Sequence, residues 1–435
     1  MGEILMDIAA LVFMILLFGG MPVAFAIGIS GLTFFMVTPG VPMSILVQRS
    51  LATTQSFTML AIPLFIFAGN LMNSTGLTSR LVKLSNVLTG HMYGNLAQVS
   101  VVLSTLMGGV SGSAVADAAM ESRLLGPEMT KRGYSKGYSA AINGISSLIV
   151  ATIPPSMGLI IFGSVGEVSI GRLFTAGILP GLMMMVALMI AVRYSAKKRG
   201  YMPEHASPPT LREVGKAVAD GIWALLFPVL LIVFIRFGIM TPSESGAFAA
   251  AYALFIGVFV YKELTWKRFL QTLEASTKDI SVITLILALS GTFGYGIVYD
   301  RVPQAIAAFM VSITSNPVIM LLIIILALLF AGMFMETTVI ALLLTPILLP
   351  VVKQIGVDPV HFGIIMMTIV TTGVMTPPVG VALYTTSAIM GCTPEDTAKE
   401  SLPFFIGIIV VVMIMVLFPK LILFLPNLIF GTSSL

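Results

Sequence analysis

The sequence predicts an all-α polytopic membrane protein. Three observations carry that prediction. Of 435 residues, 57% are hydrophobic and 10% charged, where an ordinary soluble domain carries about 25% charged residues. The mean hydropathy is +1.04, and lipid, unlike water, absorbs that much apolar surface. The apolar stretches are also broken by Gly and Pro at positions that recur at one fixed interval.

Helical spans need roughly 17–25 apolar residues. Candidates run over about 4–19, 21–38, 57–74, 92–107, 138–151, 171–194, 218–238, 242–261, 279–299, 317–333, 359–374 and 402–425. The first opens with Glu3 and Asp7, without a basic n-region or a small-residue cleavage site. It therefore reads as a membrane helix and not a cleaved signal. Two amphipathic stretches, 42–54 and 264–278, predict helices lying along the interface. Lys197, Lys198, Arg199, Arg212 and Lys216 fall in the most polar segment, beside Pro203, Pro208 and Pro209. Positive charge marks the cytoplasmic side. Residues 195–217 thus predict a cytoplasmic linker between a first membrane repeat (1–194) and a second (218–435). Lys262, Lys267 and Arg268 form a second basic loop.

Gly109, Pro127, Gly133, Pro154 and Pro155 match Gly332, Pro350, Gly356, Pro377 and Pro378, each at an offset of 223 residues (332 − 109). Matched Gly and Pro mean matched bends, so the halves are an internal repeat. Interrupted hydrophobic segments at corresponding places in two halves point to a secondary transporter. Duplicated packing without transport is the other reading.

Each half contains a tip and a break. Gly108–Ala114 interrupts the apolar run from Val99 to Met120 with three glycines and two serines. Unwound backbone at membrane depth must be buried or line a wet cavity. This predicts a re-entrant hairpin around 92–130, with a small-residue packing face as the alternative. Ile153-Pro154-Pro155-Ser156 removes two backbone donors and predicts a discontinuous helix around 134–165. Free carbonyls there suit a cation, and the half-helix from Ser156 turns a positive end toward an anion. A purely structural proline kink is the alternative. The repeat copies are a hairpin around 317–355, with Ala331–Thr338 at its tip, and a broken helix around 359–390, with Met375–Gly380 at its break. Hydroxyls gather around tips and breaks, which makes Ser111, Ser113, Ser156, Thr337, Thr376 and Thr385 the candidate substrate contacts.

Charges inside membrane segments are functional candidates by default. Asp117 and Glu336 lie near the two tips. Glu336 has three readings: cation ligand, proton acceptor, or cap of the helix starting at Thr337, capping being the leading one. Glu244, Asp279, Asp300 and Arg301 lie near helix ends and read as interfacial or structural charges.

The residues also argue against other classes. The single Cys392 allows no internal disulfide, and His91, His205 and His361 lack metal-ligand spacing. There is no phosphate loop for ATP hydrolysis and no basic stripe for nucleic acid. No intramembrane nucleophile or acid–base constellation suggests an enzyme. A channel remains open as a reading, and would show ion flux without alternating access.

Over essentially its full length the chain resembles the large membrane subunit of tripartite ATP-independent periplasmic (TRAP) transporters. The resemblance is carried by Gly20–Phe25, Leu60–Phe65 with Ala68-Gly69, Ser111–Asp117, Ile153–Ser156, Thr241–Gly246, Gly356–Gly363 and Thr376–Gly380. It implies an elevator-type fold of two inverted repeats in the bacterial inner membrane. It implies sodium as coupling ion with no organic cofactor, and import of a carboxylate such as a C4-dicarboxylate or sialic acid. The implied partners are a periplasmic substrate-binding protein and a small four-helix membrane subunit. That subunit is expected as a separate chain, because the sequence starts at the large subunit's first helix. The resemblance implies one sodium site at Gly109, Ser111, Ser113, Ile153 and Pro154. It implies a second at Gly332, Thr337, Thr338, Met375, Thr376 and Val379. The second tip departs from the family pattern: Met335-Glu336-Thr337-Thr338 stands where many members have an aspartate followed by a small or apolar residue. A stand-alone sodium/anion symporter needing no binding protein is the alternative.

Overall fold

A computed structural model describes residues 3–55, 57–314 and 316–431. The side chains of Glu3 and Asp7 lie outside the described residues. Among the described residues every regular element is helical.

Helices α1 (Glu3–Phe18) and α2 (Val23–Val37) meet at the Gly20-Met21-Pro22 turn. α3 (Met43–Gln55) is joined by a 3-10 turn, Phe57–Leu60, to α4 (Ala61–Ser74), and α5 (Leu77–Thr89) follows. The first hairpin is α6 (Asn95–Met107) and α7 (Ala114–Lys131). The first broken helix is α8 (Lys136–Ser146), tightening into a 3-10 turn over Ser147–Ala151, then α9 (Met157–Gly166) after the prolines. α10 (Ile170–Arg199) leads to the linker and α11 (Leu211–Arg236) leaves it.

The second half contains α12 (Pro242–Phe255), α13 (Trp266–Tyr299) and α14 (Val302–Ile313). Its hairpin is α15 (Pro317–Gly332) and α16 (Thr337–Gln354), and its broken helix is α17 (Pro359–Gly373) and α18 (Val381–Met390). α19 (Pro394–Leu417) and α20 (Pro419–Phe430) close the chain. The offset of 223 reappears in the helix bounds: α7 and α16 are both 18 residues long and start at Ala114 and Thr337.

Two expectations need correction. The stretch 264–278 is not a separate interfacial helix but the start of the unbroken 34-residue α13. Its apolar second half continues the same hydrogen-bond ladder, with no Gly or Pro between Trp266 and Ser290 to stop it. The run 402–425 is two helices, because Pro419 cannot continue α19 and instead starts α20.

Among the described residues six helices are long and apolar enough, by length and composition, to cross a membrane: Ile170–Arg199, Leu211–Arg236, Ser243–Val260, Trp266–Tyr299, Thr337–Gln354 and Pro394–Leu417. The halves interlock. α7 packs on α18 and, reciprocally, α16 packs on α9. α4 packs on α12, and α2 on α13. The centre is therefore made by both repeats together. Thr152 at the first break and Thr368 on α17 touch there, hydroxyl to hydroxyl at 3.3 Å.

Candidate functional site

Backbone proximity builds the site. Gly112 at the first tip has φ +67, and a Cβ there would stand 2.5 Å from the Pro155 carbonyl oxygen. Only glycine lets tip and break approach this closely. The Met157 N–H, just past the break, donates to the Gly112 carbonyl at 3.4 Å. The second unit repeats the tie: the Gly380 N–H donates to the Met333 carbonyl at 2.8 Å. There Gly332 and Gly373 bring α15 and α17 together, and a Cβ on Gly332 would lie 2.4 Å from the Val370 carbonyl oxygen. Each broken helix thus carries a hairpin tip bonded across its break. Both Pro-Pro bonds are cis.

Between the two tips lies a cavity of about 300 Å³. Ser111, Ser113 and Ala116 line it from the first tip, and Glu336, Thr337 and Thr338 from the second. Met157 and Gly158 of α9, Asn70 and Asn73 of α4, and Asp279 of α13 complete the wall. Three helix N-termini, of α7, α9 and α16, therefore face one space. Their dipoles favour an anion there, set against the Glu336 and Asp279 carboxylates in the same wall.

The polar side chains there are partly committed. Ser113 caps α7, accepting from the Ala116 N–H at 3.5 Å. Ser111 donates to Asp117 Oδ1 at 2.7 Å. Thr337 and Thr371 hydroxyls lie 3.4 Å apart. Asn70 donates to Asp279 Oδ2 at 3.0 Å and to Ser276 Oγ at 3.1 Å, tying α4 to α13.

The cavity unites four of the candidates: Ser111, Ser113, Thr337 and Thr338. Gly109 packs against the Pro228 ring, and Ile153 is wedged between Gly108 and Gly181. Pro154 is buried with the first break. Ser156 is fully buried and caps α9, accepting from Leu159 N–H at 3.4 Å and donating to the Ala151 carbonyl at 2.5 Å. Gly332, Met375, Thr376, Val379 and Thr385 do not line the cavity. Thr376 and Thr385 donate to carbonyls in their own segments, at Thr372 (2.9 Å) and Val381 (2.7 Å).

Glu336 departs from the leading expectation. It occupies the N-cap position of α16, yet its carboxylate caps no backbone N–H. It accepts instead from the Thr338 hydroxyl, which leaves the helix end and the carboxylate both facing the cavity. Asp279 also differs: it is a cavity wall and not an isolated interfacial charge. Glu244 does prove structural, forming a capping box with Thr241. Sequence reasoning missed Asn70 and Asn73. Two asparagines three apart in the apolar run of α4 share a helix face, and that was the available signal.

The linker clamps the outer end of the first hairpin. Glu204 accepts from Asn95 Nδ2 and pairs with Arg132, both at 3.0 Å. The Tyr201 ring stacks on Tyr134 with centroids 4.1 Å apart. The Arg132 guanidinium beside Glu204 holds its carboxyl below the usual carboxylate range.

Residues 10–421 match the family model of the tripartite ATP-independent periplasmic transporter, DctM component. The chain belongs to this transporter family. This DctM-family chain is 36% identical to the sialic acid TRAP transporter large permease protein SiaM of Vibrio cholerae, over 96% of its own length and 97% of that relative. It is 33% identical to the C4-dicarboxylate TRAP transporter large permease protein DctM of Pseudomonas aeruginosa, over 92% and 94%. The crystal structure of the Alcanivorax borkumensis YdaH transporter superposes with a TM-score of 0.65 at 11% identity. It covers 88% of this chain and 90% of that one, so the overall fold is shared. The TRAP relatives are named as permeases, in keeping with a polytopic membrane transporter.

Proposed function

We propose that the chain imports an organic acid, a carboxylate such as a C4-dicarboxylate or sialic acid, coupled to sodium, across the bacterial inner membrane. A periplasmic binding protein delivers the substrate, and a small four-helix subunit completes the complex. The observation that supports this best is the convergence of three helix N-termini and both hairpin tips on one cavity. The N-termini favour the carboxylate. The backbone carbonyls of the tips and breaks, the hydroxyls and Glu336 are hard oxygen donors of the kind that hold a coupling cation. Sodium beside Glu336 offsets a carboxylate that would otherwise repel the anion.

The two breaks differ in burial, which supports an elevator. Pro154 and Pro155 are buried, whereas Pro377, Pro378 and Val379 are exposed. Sliding the unit of hairpins and broken helices against the remaining helices would exchange those environments and carry the cavity across.

The test is sodium-driven uptake in proteoliposomes with both partners present, screening organic acids. Ser113→Ala and Thr376→Ala are expected to raise the sodium concentration needed for half-maximal uptake. Unchanged sodium dependence in both variants would sink the site assignment. Uptake by this chain alone would favour the stand-alone symporter.

A further inference from the structure

Glu121 lies on α7 one turn beyond Asp117 and is fully buried. It is no part of the cavity wall. Three serines from the two neighbouring helices enclose its carboxyl. Ser100 and Ser104 of α6 stand 2.6 Å from Oε2 and Oε1, and Ser146 of α8 stands 3.1 Å from Oε2. Ser146 Oγ is in turn 2.7 Å from Ser100 Oγ and 2.7 Å from the Ile142 carbonyl oxygen.

Counting protons decides the state of this carboxyl. Oxygens about 2.7 Å apart are at O–H···O distance and have a proton between them. Four contacts are that short: Ser104–Glu121, Ser100–Glu121, Ser100–Ser146 and Ser146–Ile142. Each hydroxyl brings one proton, so the three serines supply three. The Ile142 carbonyl can only accept, so Ser146 donates to it. Ser100 then donates to Ser146, and Ser104 donates to Oε1. The remaining contact, Ser100 with Oε2, is filled only by a proton on the carboxyl. With an ionised carboxylate, one of the four contacts would set two lone pairs against each other.

The surroundings agree. Among the described residues no Lys or Arg pairs with Glu121, and an uncompensated buried charge is costly. The elements packed on α7 are α6, α8, the turn 147–151 and α18. α6, the turn and α18 carry no charged residue, and Tyr384 is the one titratable group of α18. Lys136 and Tyr138 of α8 lie at its opposite end from Ser146, and Tyr138 bonds Ser195. The titratable neighbour is Asp117 on α7 itself, also buried, whose Oδ1 accepts from Ser111 of the tip.

We propose that Glu121 is a proton-binding site, and that its neutral carboxyl, donating to Ser100, locks α6, α7 and α8 together behind the first hairpin tip. Removing the proton breaks the fourth contact and leaves a buried negative charge one turn from the Asp117 carboxyl. The first hairpin then has a lock that opens at alkaline pH. This inference rests on hairpin geometry and not on which acid is transported.

The experiment is infrared difference spectroscopy on the purified full chain, wild type minus Glu121→Gln. At neutral pH a carboxylic-acid C=O band is expected that Glu121→Gln lacks and Asp117→Asn keeps. It should fade at alkaline pH as the wild-type melting temperature falls, while Glu121→Gln melts independently of pH over that range. The amide keeps a carbonyl acceptor for Ser104 and an N–H donor for Ser100, adding one further N–H, so at neutral pH its melting temperature should stay within about 2–4 °C of wild type. Ser100→Ala, which keeps Glu121, should shift the acid band. A band in the carboxylate region at neutral pH, an acid band unmoved by Ser100→Ala, or the same alkaline loss of stability in Glu121→Gln would overturn the proposal.

Discussion

In the first hairpin unit, α7 carries Asp117 and Glu121, and Ser100, Ser104 and Ser146 gather around Glu121. In the second unit the residues 223 positions on are Ile340, Leu344, Ile323, Ala327 and Ile369. Every member of the polar cluster has an apolar counterpart, yet the bounds of α7 and α16, the tip-to-break hydrogen bond and the Pro-Pro break recur. The repeat thus preserves backbone geometry, and the chemistry behind each tip is free to diverge. The reason is that Gly and Pro set dihedral angles locally, while a buried polar group is tolerated wherever partners can satisfy it. The second unit holds its shape by backbone contact at Gly332 and Gly373, the first by a side-chain network as well.

This contrast can be broken experimentally. The largest effect is expected at Gly332→Val, because the new side chain meets the Val370 carbonyl and neither backbone can give. A loss of about 3 kcal/mol, with collapse of folded yield and uptake, is the expected result. A variant that melts like wild type would show that the second unit does not depend on that approach. Next comes Ser104→Ala, which strips Glu121 Oε1 of its partner. It should cost about 1–3 kcal/mol, read as a fall in melting temperature. The matched change Ala327→Ser lies on an exposed helix face and should stay within about 0.5 kcal/mol. Equal effects would erase the difference between the units. The smallest effect is at Glu204→Gln. Its pair with Arg132 is partly exposed and contributes about 0.5 kcal/mol. The carboxyl of Glu204 titrates below its usual range. Its contribution is therefore present above the ordinary carboxylate range and fades as pH falls through the lowered value. Glu204→Gln should flatten the acid side of the stability profile, and an unchanged acid limb would show that the clamp does not depend on this charge.

Much of the frame was legible. The tips at Gly109 and Gly332 and the breaks at Pro154 and Pro377 stand out because Gly and Pro act through their own dihedral angles. The seam between α19 and α20 at Pro419 has the same kind of signal, yet it lies inside a long apolar run that only Lys420 interrupts there. Asp279 looked interfacial because its partner, Asn70, lies 209 residues away. Glu336 carried the signal for a cap, but the Thr338 hydroxyl competes for its carboxylate. Glu121 stood four residues from Asp117, a spacing that puts both on one helix face, and nothing local announced the serines of two other helices.

By itself the sequence determined residence in lipid, the two-fold repeat and the places where helices must stop, since hydropathy and backbone restriction are properties of short segments. Only the tertiary structure decided which hydroxyls share the cavity, that three helix N-termini face it, that one Pro-Pro break is buried while its twin is exposed, and that Glu121 is enclosed by three serines. Each of these depends on contacts such as Thr152 with Thr368, 216 residues apart, and those arise from how interlocked halves pack.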